Sequence, residues 1–249
     1  MLGAGGVPSQ GVAQAFAAAG AVEKPAREGG QPKTTVREFE TGDTVEDPAS
    51  EAEPEPSARA SVTTVYFAQW VSLSGDNGGL PFIIIDKLAA TVSVFEPNGQ
   101  FLGATPALVG LAHGDESVPG IGERELSTIT PEERTTPAGR FVARYGNAIG
   151  QDKVLWVDFN GAVALHPVVT GNKKERRMER LLSPTPEDNR ITYGCINVSK
   201  TFYDALVRSV FENSSGIVYI LPENRTLAEV FPAFPAQASA QLFQPAARP

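Results

Sequence analysis

The stretch from Val154 to His166, VLWVDFNGAVALH, narrows the fold more than any other part of this 249-residue chain. Two apolar runs flank Asn160-Gly161. An Asn-Gly pair between such runs asks for a two-residue type I′ turn, because both residues tolerate positive φ and the turn twists as the paired strands do. A β-hairpin is therefore predicted, with His166 at or just past the end of its second strand, where a side chain can point into a site. PFIIID and ATVSVF are short β-branched and aromatic runs bounded by Pro, Gly and Asn, as strands are. TVYFAQWV, which opens the core near Ser61, shares their composition. After Cys195 the period changes: Ser199 can cap a helix whose Phe202, Leu206 and Val210 recur at spacings of four. GIVYILPE then returns to a strand. These readings add up to one mostly β domain over residues 61–223 with one or two short helices.

The flanks read differently. Residues 1–60 form a flexible, acidic arm, in which EFETGDTVEDPASEAEPEPSARA offers almost nothing apolar to bury. QGVAQAFAAAGAV, earlier in the arm, can make a weak helix that docks on the main body. The arm holds five Lys/Arg against ten Asp/Glu, and the rest of the chain is nearly balanced at 16 to 19. Such a balance, without a C2H2 or RNP motif, gives no reason to expect a nucleic-acid partner. Residues 224–249 form a Pro/Ala-rich tail, expected to lie extended over the surface. The first thirty residues lack the basic and long apolar regions of an intact signal peptide, so either the protein is cytoplasmic or the chain starts beyond a removed leader. No run of 18 apolar residues predicts a membrane span.

Cys195 is the single cysteine, so it makes no intrachain disulfide. A free cysteine is often a buried small hydrophobe. Its context, NRITYGCINVSK, adds something: Gly194 can take positive φ and aim neighbouring N–H groups at one point. A thioester reaction needs such convergent donors for its oxyanion. The base would be one of two histidines. His113 lies in the polar, glycine-rich GLAHGDESVPG, and His166 ends the predicted hairpin; spacing alone does not choose between them. A zinc site of His113, His166 and Cys195 would lack a close ligand pair, and neither a metal nor a cofactor is expected.

The ordered motifs resemble the L,D-transpeptidase catalytic domain, or YkuD domain, of bacterial cell-wall enzymes. Thr192-Tyr193-Gly194-Cys195-Ile196-Asn197 is similar to the family's Ser/Thr-His-Gly-Cys-hydrophobic-Asn or Arg, and His166 in ALHPVV to its upstream histidine. Thr136-Pro137-Ala138-Gly139-Arg140-Phe141 is similar to its Thr-Pro-x-Gly-x-Phe, and PFIIIDKLAATVSVFEPNGQFLGATPALVG to its opening strands. The resemblance covers about residues 80–222. It implies a YkuD-like β-sandwich and a ping-pong acyl transfer on peptidoglycan stem peptides. Cys195 would be the nucleophile and His166 the base, with the backbone around Tyr193, Gly194 and Cys195 as the oxyanion hole and Thr192, Tyr193 and Asn197 lining the substrate cleft. An exported protein in the periplasm or cell envelope follows, its leader absent from the chain. Water in place of an amine would make the same site an L,D-carboxypeptidase or endopeptidase, and a silent cell-wall-binding module is a third reading.

Two departures from the family matter. Tyr193 stands where the family usually has histidine, which points to a non-standard acceptor such as the amino end of the first stem residue. His166 and Cys195 lie 29 positions apart, against nearer twenty, and GNKKERRMERLLSPTPEDN accounts for the excess as a short helix and a proline-broken loop. Charge runs of this kind are usually solvated. The alternative is a flap over residues 172–189, with Arg176, Arg177, Arg180 or Arg190 on a substrate carboxylate.

Overall fold

A computed structural model describes residues 58–148 and 151–242. Nearly all of the acidic arm, its expected weak helix and the last seven residues lie outside them. The fold is mostly β. The strands are β1 (Phe82–Asp86), β2 (Thr91–Phe95), β3 (Phe101–Pro106), β4 (Val109–Gly110), β5 (Gly139–Ala148), β6 (Gln151–Asp158), β7 (Val163–Pro167), β8 (Arg190–Thr192), β9 (Ile196–Val198) and β10 (Gly216–Ile220). Eight of them make one sheet in the order β3-β2-β1-β10-β5-β6-β7-β9, and β4 pairs in parallel with β8. PFIIID and ATVSVF are β1 and β2, paired antiparallel.

TVYFAQWV, which shares the composition of those strands, is helical. α1 spans Val62–Ser74, and Ser61 caps it by accepting from the Thr64 N–H. Its buried residues are Thr64, Phe67, Ala68 and Val71, the i, i+3, i+4, i+7 pattern of a helix face. The surrounding apolar residues mask that period in the sequence, since Val62, Val65 and Tyr66 are exposed.

The predicted hairpin is present as β6 and β7, with Trp156 opposite Ala164. Its turn differs from the type I′ expectation. Four residues connect the strands, the Ala162 N–H donates to Phe159 O at 3.2 Å, and the positive φ of 54° sits on Ala162 rather than on Asn160 or Gly161. Gly161 lies close to the Asp158 carboxylate, which a Cβ there would approach to 2.5 Å and which a side-chain movement could relieve.

The second long helix, α3, covers residues 200–211. It is α-helical over Lys200–Phe202 and Ser209–Phe211, with a π-helical turn over Tyr203–Arg208 between. Ser199 caps it, as its position in the sequence suggested, by accepting from the Phe202 N–H. Tyr203, Val207 and Phe211 are the fully buried stripe, and Phe202, Leu206 and Val210 flank it. The main core forms where this stripe meets Ile83, Val92, Leu155, Leu165, Ile196 and Val218 of six strands.

Within the expected extended tail, residues 224–242 instead carry two short helices. α4 (Leu227–Val230) and α5 (Ala236–Leu242) bring Leu227, Phe231 and Phe234 into a second core with Phe67 and Val71 of α1, on the other face of β1 and β10. Phe231 and Phe234 each stack or tilt on Phe67, with ring centroids 4.7 and 5.4 Å away. Prolines restrict regular structure here to short pieces, yet the phenylalanines between them are too large to leave in water.

Candidate active site

β7 and β9 run side by side in parallel, with Leu165 opposite Ile196 and His166 opposite Asn197. Leu165, Ile196 and Val198 point into the main core. Alternation along a strand turns Ala164, His166 and Asn197 to the other face, where Cys195 packs with Ala162 and Ala164. One parallel ladder thus gathers the cysteine and one of the two histidines onto a single face. His113 is elsewhere, between Glu223 and Glu187 at 3.0 and 3.2 Å.

Gly194 enters this site at φ 130°, in the region open to glycine. A Cβ there would lie 2.9 Å from Thr135 O. Thr192 ties the bend together: its hydroxyl donates to Cys195 O at 2.6 Å and accepts from the Gly194 N–H at 3.1 Å. The Gly194 amide is thus engaged within the bend. The Thr136 hydroxyl donates to Gly194 O at 2.9 Å and accepts from the Gly110 N–H at 2.8 Å.

The Cys195 thiol donates to Ala162 O at 3.5 Å. Burial pushes its pKa up to about 11, against the lowering influence of a backbone contact at Ala164 and the Arg177 charge. His166 is 2% exposed, and burial drives it down to about 4, with Arg177 pushing the same way and the bond to Pro167 opposing. A neutral thiol and a neutral imidazole are the resting forms these surroundings favour. His166 Nδ1 lies 2.9 Å from Pro167 O, and its Nε2 lies 3.0 Å from Asn197 Nδ2.

A cover that sequence reasoning missed closes over the cysteine. Residues 111–136 carry three 3₁₀ turns, Ile121–Glu123, Leu126–Thr128 and Pro131–Glu133. Ile121, Leu126 and Ile129 form a small cluster on Tyr193, and the Arg134 guanidinium sits 4.0 Å over the Tyr193 ring. Together with Cys195 and Ala162 they enclose a cleft of about 30 Å³. The available signal was Val118, Ile121, Leu126 and Ile129 spaced through a mostly polar loop, too local a pattern to say what they pack on. A larger apolar groove of about 640 Å³ between α1 and the β2–β3 hairpin is lined by Val65, Leu73, Phe95 and Phe101 among others, without cysteine or histidine.

The segment 172–189 holds the expected short helix, α2 (Arg177–Leu181), between 3₁₀ turns at Lys173–Glu175 and at Pro186–Asn189, the second within the expected proline-broken loop. Its arginines are placed unequally. Arg176 is exposed and pairs with Glu179. Arg180 donates to Glu175 O and Asp188 O. Arg177, 6% exposed, donates to Asn197 Oδ1 at 2.8 Å, which brings it to the site from behind. Arg190, also 6% exposed, pairs with the buried Glu223. Glu223 belongs with Lys87 and Asp115 to a buried ionic cluster.

No family model matches the chain, and no curated protein matches it. Among solved structures, the chain is similar to an L,D-transpeptidase from Xylanimonas cellulosilytica, at 16% identity over 57% of this chain and 60% of that one, with a TM-score of 0.35. It is similar to the catalytic domain of the E. faecium L,D-transpeptidase at 15% identity, over 57% and 96% of the two chains, with a TM-score of 0.36. It is also similar to the helical cell shape determining protein Pgp2 from Campylobacter jejuni, at 14% identity over 63% of this chain and 55% of that one, with a TM-score of 0.40. The first and last matches thus span less than two thirds of the solved chains.

Proposed function

We propose that this protein is an exported, cysteine-dependent L,D-transpeptidase that cross-links peptidoglycan stem peptides through a thioester. The observation that carries the reading is the β7–β9 ladder, which sets His166 and Cys195 on one face behind a glycine bend, in the order of the motifs that resemble the family. Cys195 Sγ attacks the carbonyl carbon of the third stem residue as His166 takes the thiol proton. The amides of Tyr193 and Cys195 stabilise the oxyanion, with Gly194 setting their direction. Collapse breaks the peptide bond, and the proton on His166 leaves with the terminal D-amino acid. An amine of a second stem then attacks the thioester, forming the cross-link and returning the thiol. Thr192 and Asn197 shape the site, and Arg176, exposed on the 172–189 segment, is the arginine placed to meet a substrate carboxylate. Tyr193, packed under the cover, narrows the acceptor side and favours the amino end of the first stem residue.

Acylation by a carbapenem tests the first half-reaction. Intact-protein mass spectrometry should show one drug adduct on the wild type and none on C195A or C195S. H166A should slow acylation by about 10²- to 10⁴-fold, the usual contribution of a positioned base. A folded wild type that forms no adduct overturns the assignment. Defined muropeptides then separate the outcomes: cross-linked dimers support the transpeptidase, and shortened monomers alone indicate the hydrolase. Tandem mass spectrometry of the dimers reads which amine was joined.

A further inference from the structure

As the base, His166 needs a lone pair to receive a proton, and its neighbours decide which nitrogen has one. Arg177 presents only donors. The atom of Asn197 facing it at 2.8 Å is therefore the amide oxygen, which turns the Asn197 NH₂ toward His166 Nε2 at 3.0 Å. An NH₂ donor requires an acceptor, so Nε2 carries the lone pair and Nδ1 carries the hydrogen. Nδ1 faces Pro167 O at 2.9 Å, which only accepts. The row is self-consistent from end to end and is held out of water, with Arg177, Asn197 and His166 at 6%, 0% and 2% exposure. Glu175 pairs with the Arg177 guanidinium from behind.

Resting on the role of His166 proposed above, we infer that Arg177 is a positioning residue, which acts through Asn197 to fix His166 in the Nδ1–H tautomer with its reactive lone pair at Nε2. The guanidinium stays charged at every working pH, so it is a permanent reference for the hydrogen bonds beyond it. Were the Asn197 amide to turn over, its NH₂ would face Arg177, donor against donor. Protonation of Nε2 meets the same obstacle from the other side, because imidazolium has no acceptor for the Asn197 NH₂. Nε2 must therefore leave Asn197 to take the Cys195 proton, and Arg177 sets how readily it does so. Arg177 is also the charge acting on both His166 and Cys195. The segment that supplies it is the added length between base and nucleophile.

Nitrogen-15 NMR of protein labelled at histidine reads the tautomer directly. In the wild type above about pH 5.5, Nδ1 should show the protonated signature and Nε2 the unprotonated one. R177M frees the amide to turn, so the His166 hydrogen should move toward Nε2 and its titration midpoint should rise by about one unit. R177K keeps a donor-only cation and should restore the wild-type pattern. Should R177M fail to fold, N197D retains an acceptor for Arg177 and offers a second one to Nε2, so it should raise the midpoint further. A folded R177M or N197D with unchanged tautomer and midpoint overturns the inference. Carbapenem acylation of the same samples keeps the two claims apart. A shifted tautomer without acylation of the wild type supports Arg177 and counts against the transpeptidase alone, and an unshifted one with acylation does the reverse.

Discussion

At the level of single residues, Gly194 and His166 make the most exposed claims. Adding a methyl at Gly194 forces a side chain into positive φ and toward the Thr135 carbonyl, 2.9 Å from where the Cβ would stand. G194A should lower stability by about 1–3 kcal/mol and abolish acylation of Cys195, read by thermal melting and mass spectrometry on one sample. His166 predicts a pH dependence whose sign follows from its depressed pKa. The unfolded chain takes up a proton near pH 6.5 and the folded one only near pH 4, so between those values unfolding binds a proton. Stability is full above about pH 6.5 and falls on acidification toward pH 4, by about 1.4 kcal/mol per unit at most. Melting temperature measured across that range should drop, and H166Q should flatten the curve. Asp115 and Glu223 add a lower window. Burial alone would raise both carboxyls, but Lys87 and the backbone N–H groups around them hold them below their usual values. Their contribution is present above the ordinary carboxylate range and is lost only as pH falls beneath it.

Among elements, legibility followed from whether the signal is local. The β6–β7 hairpin and α3 show in the sequence because turn chemistry and a cap act within a few residues, and the candidate site could be named because its motifs keep their order along the chain. α1 did not, since its 3.6 period is diluted by exposed Val62, Val65 and Tyr66. The C-terminal helices did not, because what holds Phe231 and Phe234 is Phe67, more than 160 residues earlier. Such pairings are visible only once β10 lies beside β1. F234A tests whether this end belongs to the fold. Phe234 is 4% exposed and touches the rings of Phe67 and Trp70, so the substitution should cost about 3–5 kcal/mol, read by denaturant unfolding. A change within a few tenths would mean the helices contribute nothing to stability.

For the molecule as a whole, the candidate active-site face is built on the side of the sheet away from the main core, and its cover is fastened at both ends to one floor. Lys87 donates to Asp115 at 2.8 Å near the start of the cover and to Thr136 O at 3.0 Å at its finish. The Ala112 N–H reaches Arg134 O at 3.0 Å, and Thr136 holds Gly110 and Gly194 together. K87M removes the cation from a buried anionic pair and should cost about 3–5 kcal/mol. In hydrogen exchange, residues 111–136 should lose protection before the strands beneath them.

The joined ends of the cover have a consequence for how any ligand reaches the thiol. A segment closed at its neck cannot swing aside as a door does, since there is no separate hinge edge for it to turn on. It opens by loosening in its middle, where three short turns rest on Val118, Ile121, Leu126 and Ile129 against Tyr193 and on Gly122 against the Asn160–Ala162 turn. Entry is then a local melting event, governed by the small free energy of that cluster. Whatever reaches the cysteine would pass over the loosened middle while the neck and the glycine bend under it stay in register.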